Sequence, residues 1–156
     1  MATHKEMVEI AAKWLKYRCV IPYEYHDGEI KASKSLCGVV ATEIVTAAME
    51  TPDAIGWHCG TSIVIECKVS RSDYYRDKSK YFRNRPQYGV GDYRYYMTPA
   101  GLLVQKNLPD KWGLLEVTGK KVEVVKLAER QESNNKGERR ILLSIIRRLM
   151  AKESLV

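Results

Sequence analysis

The residues best suited to chemistry are two carboxylates and a lysine in the stretch from Thr51 to Lys68. Asp53 precedes a short apolar segment, and Glu66 and Lys68 end the apolar segment that follows it. Because side chains alternate along a strand, Glu66 and Lys68 should share one face. A carboxylate and an ammonium in an otherwise apolar strand lose hydration unless they are paired or bind a ligand. We therefore expect these two side chains to have a partner.

A turn between the two segments predicts that Asp53 is that partner. Folding of the chain about His58-Cys59-Gly60 would place the start of one strand beside the end of the next. Two carboxylates close together suit Mg²⁺ or Mn²⁺, which keep several waters and contact phosphate oxygens. Such an ion lowers the pKa of a bound water and neutralises charge in phosphodiester hydrolysis. A lysine beside it can orient the water or stabilise the developing charge.

The order of these residues resembles the PD-(D/E)xK nuclease superfamily, the restriction-endonuclease-like proteins. The motif of that superfamily is Pro-Asp, a spacer and Glu-x-Lys on the next strand, matched here by Pro52-Asp53 and Glu66-Cys67-Lys68. The resemblance implies a metal-dependent DNA nuclease in which Asp53, Glu66 and the Cys67 carbonyl ligate Mg²⁺ or Mn²⁺. Lys68 would then assist the attack of water. The alternative is that Asp53 is only an acidic residue of a turn and that Glu66 and Lys68 form an ion pair on a half-exposed strand.

A narrower likeness, over about Val39 to Val117, is to MmcB-type DNA-repair nuclease-like proteins and related phage-encoded proteins. It rests on several short motifs that follow one another in the same order. Pro52 departs from this pattern, because a basic or small residue is expected at that position in the narrower group. Besides the residues above, the motifs are Glu43, Val69-Ser70-Arg71-Ser72-Asp73, Asp77-Lys78 and Gly91-Asp92-Tyr93-Arg94-Tyr95-Tyr96. The likeness implies work in DNA repair, recombination or phage DNA processing. It also suggests accessory roles for Glu43, Ser70 and Asp73.

The resemblance extends to an acid on the first helix and to a homodimer. Superfamily members often carry a helix acid that contacts metal-bound water, and resolvase-like members often pair to cut two strands. Glu6 is the first candidate for this acid, because it lies nearer the N-terminal end and the edge of the apolar face. Glu9 is the second. The plainer interpretation of either residue is a solvent-facing glutamate.

Basic and aromatic residues are interleaved between Arg71 and Arg94. This segment holds seven Lys or Arg and three Asp, with five tyrosines among them. Such a mixture can follow a phosphate backbone and stack on bases, and a net charge of +7 favours a polyanionic partner. Core tyrosines and solvated lysines explain part of the pattern equally well. The side chains expected to contact DNA are Arg71, Arg76, Lys78, Lys80, Arg83 and Arg85.

The elements that position these residues are predicted from the spacing of apolar side chains. Helices are expected over Lys5–Lys16 with Thr3 as N-cap, from Ser70 or Ser72 to about Tyr81, and after the loop Gln131–Lys136. Strands are expected over Val39–Ala47, Ala54–Trp57, Thr61–Val69, Arg94–Thr98, Gly113–Val117 and Val122–Leu127. The last helix has an apolar face, Ile141, Leu142, Ile145 and Leu149, and a basic face, Arg140, Arg147 and Arg148.

The whole chain of 156 residues is expected to form one domain. Its order of helices and strands predicts an α/β or α+β fold with helices packed on one central mixed sheet. The four cysteines show no CxxC pair, so reduced thiols are expected. No apolar run approaches the roughly 20 residues that span a bilayer, and the N-terminus lacks the pattern of a secretion signal. We therefore expect a cytoplasmic protein.

Overall fold

The computed structural model describes residues 2–44, 46 and 50–153. The α-helices of this part of the chain are α1 (His4–Tyr17), α2 (Arg71–Lys78) and α3 (Asn135–Glu153). Its strands are β1 (Val20–Glu24), β2 (Ile30–Lys34), β3 (Val39–Thr42), β4 (Ala54–His58), β5 (Thr61–Cys67), β6 (Tyr93–Pro99), β7 (Gly113–Thr118) and β8 (Lys121–Lys126). Short 3-10 segments cover Tyr81–Asn84, Pro86–Tyr88 and Gln105–Asn107.

A six-stranded mixed sheet has the strand order β3-β4-β5-β6-β7-β8. The strands β3, β4 and β5 form an antiparallel meander, whereas β6 is parallel to both β5 and β7. The strand β8 returns antiparallel to β7. Parallel neighbours need a crossover connection, and α2 lies in the one between β5 and β6. The prediction of an α/β fold with a mixed sheet and flanking helices is confirmed.

The two faces of the sheet bury different partners. On one face, Ile63 and Ile65 of β5 join a core that includes the apolar side of α1. On the other face, Val64 packs with Ile141 of α3, while Tyr96 of β6 packs with Tyr74 of α2. The alternation expected along β5 is therefore present. It turns Glu66, two residues after Val64, toward the face that α2 covers.

The structure contains a hairpin that the sequence did not predict. Strands β1 and β2 pair antiparallel as a second, two-stranded sheet. Within β1 only Ile21 is buried, and no residue of β2 is buried. An exposed hairpin therefore lacks the alternation of apolar and polar residues that marks a half-buried strand. The residues directly after α1 therefore carry no pattern that predicts strands.

Some element boundaries differ from the prediction. The strand expected to reach Ala47 ends at Thr42 in β3, and positions 45 and 47 of that expectation lie outside the described residues. Helix α2 ends at Lys78, because Ser79 caps it and turns its hydroxyl to the Arg76 carbonyl oxygen at 2.7 Å. Of the two serines proposed as its N-cap, Ser70 takes that position.

The apolar face predicted for α3 is only partly covered. Ile141 is buried, Leu142 and Ile145 are half-buried, and Leu149 is exposed. Within residues 2–44, 46 and 50–153, no helix combines the length and apolar character that crossing a membrane requires.

Candidate active site

Asp53 lies immediately before β4 and beside the end of β5. The register pairs Ala54 with Ile65, so that Asp53 stands next in line with Glu66. The Asp53 Oδ2 atom accepts a hydrogen bond from the Cys67 amide at 2.8 Å. The hairpin expected from the sequence, with the start of one strand beside the end of the next, is therefore confirmed. This hydrogen bond fixes one oxygen of Asp53 against the backbone of the Glu-x-Lys segment.

His4 and Glu43 lie around the other oxygen of Asp53. His4 Nε2 is 3.4 Å from Asp53 Oδ1 and 3.7 Å from Glu43 Oε1. One potential ligand atom from each of the three residues lies within 4.8 Å of the others. Carboxylates suit Mg²⁺ and Mn²⁺, and an imidazole shifts the preference toward first-row transition metals. The chemistry of this donor set fits a divalent cation such as Mn²⁺.

Local backbone features determine the positions of His4 and Glu43. Helix α1 begins at His4, and Thr3 caps it in a capping box with Glu6. Glu43 has φ 49, in the left-handed region that residues other than glycine rarely adopt. Its amide donates to the Asp53 carbonyl oxygen at 3.1 Å. Backbone strain of this kind persists only where the surroundings hold it, and it clusters at functional sites.

The Glu66 carboxylate is buried. Lys68 Nζ is 3.7 Å from Glu66 Oε2, and Arg83 Nη2 is 3.5 Å from Glu66 Oε1. Neither Arg83 nor any other described donor makes a hydrogen bond to Oε1. Burial raises the pKa of the Glu66 carboxyl, the charge of Arg83 opposes this, and the charge of Asp53 adds to it. This buried oxygen therefore faces a positive charge without a hydrogen bond, and it remains able to accept one from a water.

Lys68 is held between two carboxylates. Its Nζ lies 3.7 Å from Glu66 Oε2 and 3.3 Å from Asp77 Oδ1. Its amide continues the pairing beyond β5 by donating to the Met97 carbonyl oxygen at 3.0 Å. The ammonium is therefore positioned from both sides, at the edge of the buried region. The expectation that Glu66 and Lys68 share one side of the strand agrees with this contact.

Asp77 of α2 is the centre of the polar contacts behind Lys68. It accepts hydrogen bonds from Arg83 Nε at 2.7 Å and from the Tyr96 hydroxyl at 2.6 Å, and Lys80 Nζ is 2.9 Å away. Burial raises the pKa of the Asp77 carboxyl, but the hydrogen bonds and charge of Arg83, the Tyr96 hydrogen bond and Lys68 outweigh it. The net pKa lies well below the usual range, so Asp77 is ionised.

Comparisons with known proteins support the fold and leave the function open. No family model matches the chain, and no curated protein matches it. Among solved structures, the chain is similar to SPO1766, a protein of unknown function from Silicibacter pomeroyi. The identity is 26% and the TM-score 0.54, over 74% of this chain and 79% of the other.

Arg83 was expected to contact DNA, and the structure corrects this. Its side chain is 0% exposed and pairs with Glu50, Glu66 and Asp77. Its guanidinium carbon lies 4.9 Å from the centroid of the Trp112 ring. Burial lowers the pKa of Arg83, but Glu50 and Glu66 outweigh it and the pKa is raised. An arginine enclosed by three carboxylates balances their charge and cannot reach a phosphate at the surface.

The donor atoms grouped around Asp53 come from His4 and Glu43, and not from Glu6 or Glu9, the acids of α1 that the sequence suggested. Both line a groove of about 1060 Å³ between α1 and the turn that joins β7 to β8. Glu6 accepts a hydrogen bond from the Thr3 amide at 2.7 Å, and its contacts with Thr3 lower its pKa. Residues two positions apart on a helix point roughly 200° apart. The α1 residue that contacts Asp53 is therefore His4, for which the sequence had suggested no role.

The other predicted DNA contacts, together with Ser70 and Asp73, lie on α2 or next to one of its ends. Ser70 caps the helix by accepting from the Asp73 amide at 3.2 Å, and Arg76 lies 3.8 Å from the Asp73 carboxylate. The polar contacts of the other cations are Arg71 to Leu102 O, Lys78 to Asn107 O, Lys80 to Asp77 and Arg85 to Tyr81 O. These side chains remain exposed or half-buried, so they stay accessible to a phosphate backbone.

Sequence reasoning missed His4 and Glu50 as members of this cluster, whereas Tyr96 belongs to a motif of the narrower resemblance. Asp77 carried a signal, because it begins the Asp77-Lys78 pair of the narrower resemblance. The partner of Glu50 is Arg83, 33 residues away along the chain. Pairing over that distance leaves no periodic trace in the sequence. Only the folded sheet brings these side chains together.

Proposed function

We propose that this chain is a metal-dependent deoxyribonuclease that hydrolyses phosphodiester bonds at a site formed by Asp53, Glu66 and Lys68. The observation that carries the proposal is the arrangement at the end of β5. Asp53 is fixed to the backbone of the Glu-x-Lys segment at 2.8 Å, and Lys68 lies 3.7 Å from Glu66. These residues are also the ones that carry the resemblance to the PD-(D/E)xK superfamily.

Asp53, Glu66 and the Cys67 carbonyl are the groups proposed to hold Mg²⁺ or Mn²⁺. His4 and Glu43 are further ligand candidates, because their donor atoms cluster with Asp53 within 4.8 Å. A bound ion at this site supplies a water of lowered pKa and neutralises charge on the phosphate. Glu66 Oε1 accepts no hydrogen bond from the described residues, although Arg83 Nη2 lies 3.5 Å away, so a metal-bound water could donate to this buried acceptor.

Lys68 is the side chain proposed to act on the attacking water or on the developing negative charge. A positive charge fixed in advance needs no reorganisation when charge develops, which makes such groups effective. Asp77 restrains the ammonium at 3.3 Å from one side and Glu66 at 3.7 Å from the other. Asp77 and Arg83 are therefore positioning residues in this proposal.

A second candidate is a DNA-binding module that keeps the fold without catalysis. The contacts of Lys68 favour it, because its ammonium is already paired with Glu66 and Asp77. In that case the charges at the end of β5 stabilise the sheet, and the basic surface of α2 binds DNA. The biological setting proposed for either function is DNA repair, recombination or phage DNA processing, in bacterial or phage-infected cytoplasm.

Metal binding and cleavage together test the proposal. Calorimetry with Mn²⁺ should show a site in the parent protein that Asp53→Asn removes, because an amide replaces a charged ligand. His4→Ala should weaken Mn²⁺ binding more than Mg²⁺ binding, since imidazole favours the transition metal. The matched control is Glu9→Gln, an exposed acid of α1, which should bind Mn²⁺ like the parent.

Cleavage is measured on labelled linear, forked, four-way and single-stranded DNA with Mg²⁺, Mn²⁺ or chelator. At least one substrate should be cut with metal by the parent and by Glu9→Gln, and none by Asp53→Asn. A folded parent that binds Mn²⁺ and DNA but cuts no substrate would favour the binding module. Mn²⁺ binding that survives Asp53→Asn would contradict the assigned site.

A further inference from the structure

Two tyrosines next to the candidate active site present large exposed surfaces. Tyr81 is 54% exposed and Tyr88 41%, and they lie in the 3-10 segments that follow α2. Their ring centroids are 5.7 Å apart, with an interplanar angle of 34°. An exposed aromatic ring forgoes the stabilisation that burial would give. We call this surface the Tyr81–Tyr88 platform.

Arg85 extends the platform. Its guanidinium carbon is 4.0 Å from the centroid of the Tyr81 ring, and its Nη1 donates to the Tyr81 carbonyl oxygen at 3.0 Å. Aromatic rings and arginine guanidinium groups are the side chains on which unpaired bases stack. The same guanidinium also offers charge to a phosphate. The platform therefore combines the two features that single-stranded nucleic acid requires.

Lys80 joins the platform to the candidate active site. It directly precedes Tyr81, and its Nζ lies 2.9 Å from Asp77 Oδ1. Lys68 Nζ is 3.3 Å from the same oxygen, so the two ammonium groups are close neighbours. The Lys80 side chain remains 47% exposed. A strand whose base stacks on Tyr81 would therefore place its backbone at Lys80, beside Lys68.

We infer that the Tyr81–Tyr88 platform binds the bases of single-stranded DNA and directs that strand to the candidate active site. This inference rests on the proposed function and names its substrate class. Inside a duplex, neighbouring pairs cover the faces of each base, so two tyrosine rings can stack only on unpaired bases. The net charge of +7 and the cations Lys80 and Arg85 complement the backbone of such a strand.

The test measures binding in chelator, so that it does not depend on cleavage. Fluorescence anisotropy compares a labelled oligothymidylate with a duplex of equal length. Replacing both Tyr81 and Tyr88 by Ala should weaken single-strand binding by roughly 100-fold, the scale for losing two stacked bases, and change duplex binding by less than about 3-fold. Replacing both by Phe should preserve single-strand binding, because the rings remain.

The matched control replaces Tyr23 and Tyr25 by Ala. These two tyrosines are 55% and 45% exposed, and their ring centroids are also close, at 5.1 Å, but they belong to the β1–β2 hairpin. The control should bind the single strand like the parent. The inference is overturned if the Tyr81/Tyr88 alanine variant keeps parental affinity, if the control loses as much, or if single-strand and duplex affinities fall equally.

The same variants separate this inference from the nuclease proposal. If the parent binds the single strand through the platform but cuts no substrate with metal, the nuclease proposal is contradicted and the inference about the platform is supported. If the parent and the Tyr81/Tyr88 alanine variant cleave a single strand with equal efficiency in the presence of metal, the inference about the platform is contradicted and the nuclease proposal is supported.

Discussion

At the scale of single residues, Arg83 balances the buried negative charge of the candidate active site. Glu50, Glu66 and Asp77 are all buried, and the Arg83 guanidinium pairs with each of them. Taking these carboxylates out of water is unfavourable unless a cation accompanies them. Arg76, only seven positions earlier, has 79% of its side chain exposed. The two arginines therefore offer a matched comparison within one segment.

Arg83→Ala should lower the free energy of unfolding by about 3 to 5 kcal/mol, because it leaves buried carboxylates without their partner. Arg76→Ala should change it by less than about 0.5 kcal/mol, since exposed ion pairs contribute little. Urea unfolding followed by circular dichroism measures both values. Equal, small effects of the two substitutions would show that Arg83 does not stabilise the cluster.

At the scale of elements, two helix starts position the candidate active site. Helix α1 places His4 beside Asp53 through the capping box of Thr3. Helix α2 begins after Ser70 and carries Asp77 to Lys68. N-capping side chains satisfy amide groups that a helix would otherwise leave unpaired. The start of each helix thus determines where one side chain of the candidate active site lies.

Ser70→Ala should lower the free energy of unfolding by about 1 kcal/mol, the usual cost of losing an N-cap. The control is Ser72→Ala, which the sequence allowed as an alternative cap and which should change stability by less than about 0.5 kcal/mol. Chemical denaturation of the two variants under identical conditions measures the difference. A larger loss of stability from Ser72→Ala than from Ser70→Ala would show that Ser72, and not Ser70, is the N-cap.

Local features of the sequence predicted the elements better than the contacts between them. The capping residues of α1 and α2, and the alternation along β5, depend on neighbours within four positions, so they could be read directly. The β1–β2 hairpin was missed because it is mostly exposed. The Glu50–Arg83 pair was missed because its members lie 33 residues apart. Buried charge networks depend on the tertiary fold and have no periodicity.

At the scale of the whole molecule, buried tyrosine hydroxyls tie the outer elements to one another and to the sheet. Tyr95 of β6 donates to the Val20 carbonyl oxygen at 3.0 Å, and Tyr74 of α2 to the Asn107 carbonyl oxygen at 2.7 Å. Burial raises the pKa of Tyr74 to about 12, with a smaller contribution from Tyr75. Burial likewise raises the pKa of Tyr95. The folded state therefore favours the neutral phenols.

This shift predicts a loss of stability in alkali. The pKa of Tyr74 is higher in the folded chain than the value of about 10 for an unfolded tyrosine. The stabilisation that the neutral Tyr74 phenol gives to the folded state is thus complete below about pH 10 and is lost as the pH rises toward 12. The midpoint of urea unfolding, measured at several pH values across this range, should fall less steeply with pH for Tyr74→Phe than for the parent. Parallel slopes would contradict the contribution of Tyr74.

The central claim is that Lys68 serves the chemical step at a metal site built by Asp53 and Glu66, and single-turnover cleavage by Lys68→Ala tests it most directly. The substrate is the DNA that the parent cuts best, with Mn²⁺ and DNA affinities measured on the same preparations. Lys152→Ala, which removes an exposed lysine of α3, serves as the control.

Lys68→Ala should lower the cleavage rate by about 10²-fold or more, the scale for losing one electrostatic stabiliser. Its affinities for metal and DNA should stay near the parental values, because the carboxylates and the basic surface remain. Lys152→Ala should match the parent throughout. Cleavage by Lys68→Ala at the parental rate would reduce Lys68 to an ion-pair partner of Glu66 and Asp77 and contradict the proposed mechanism.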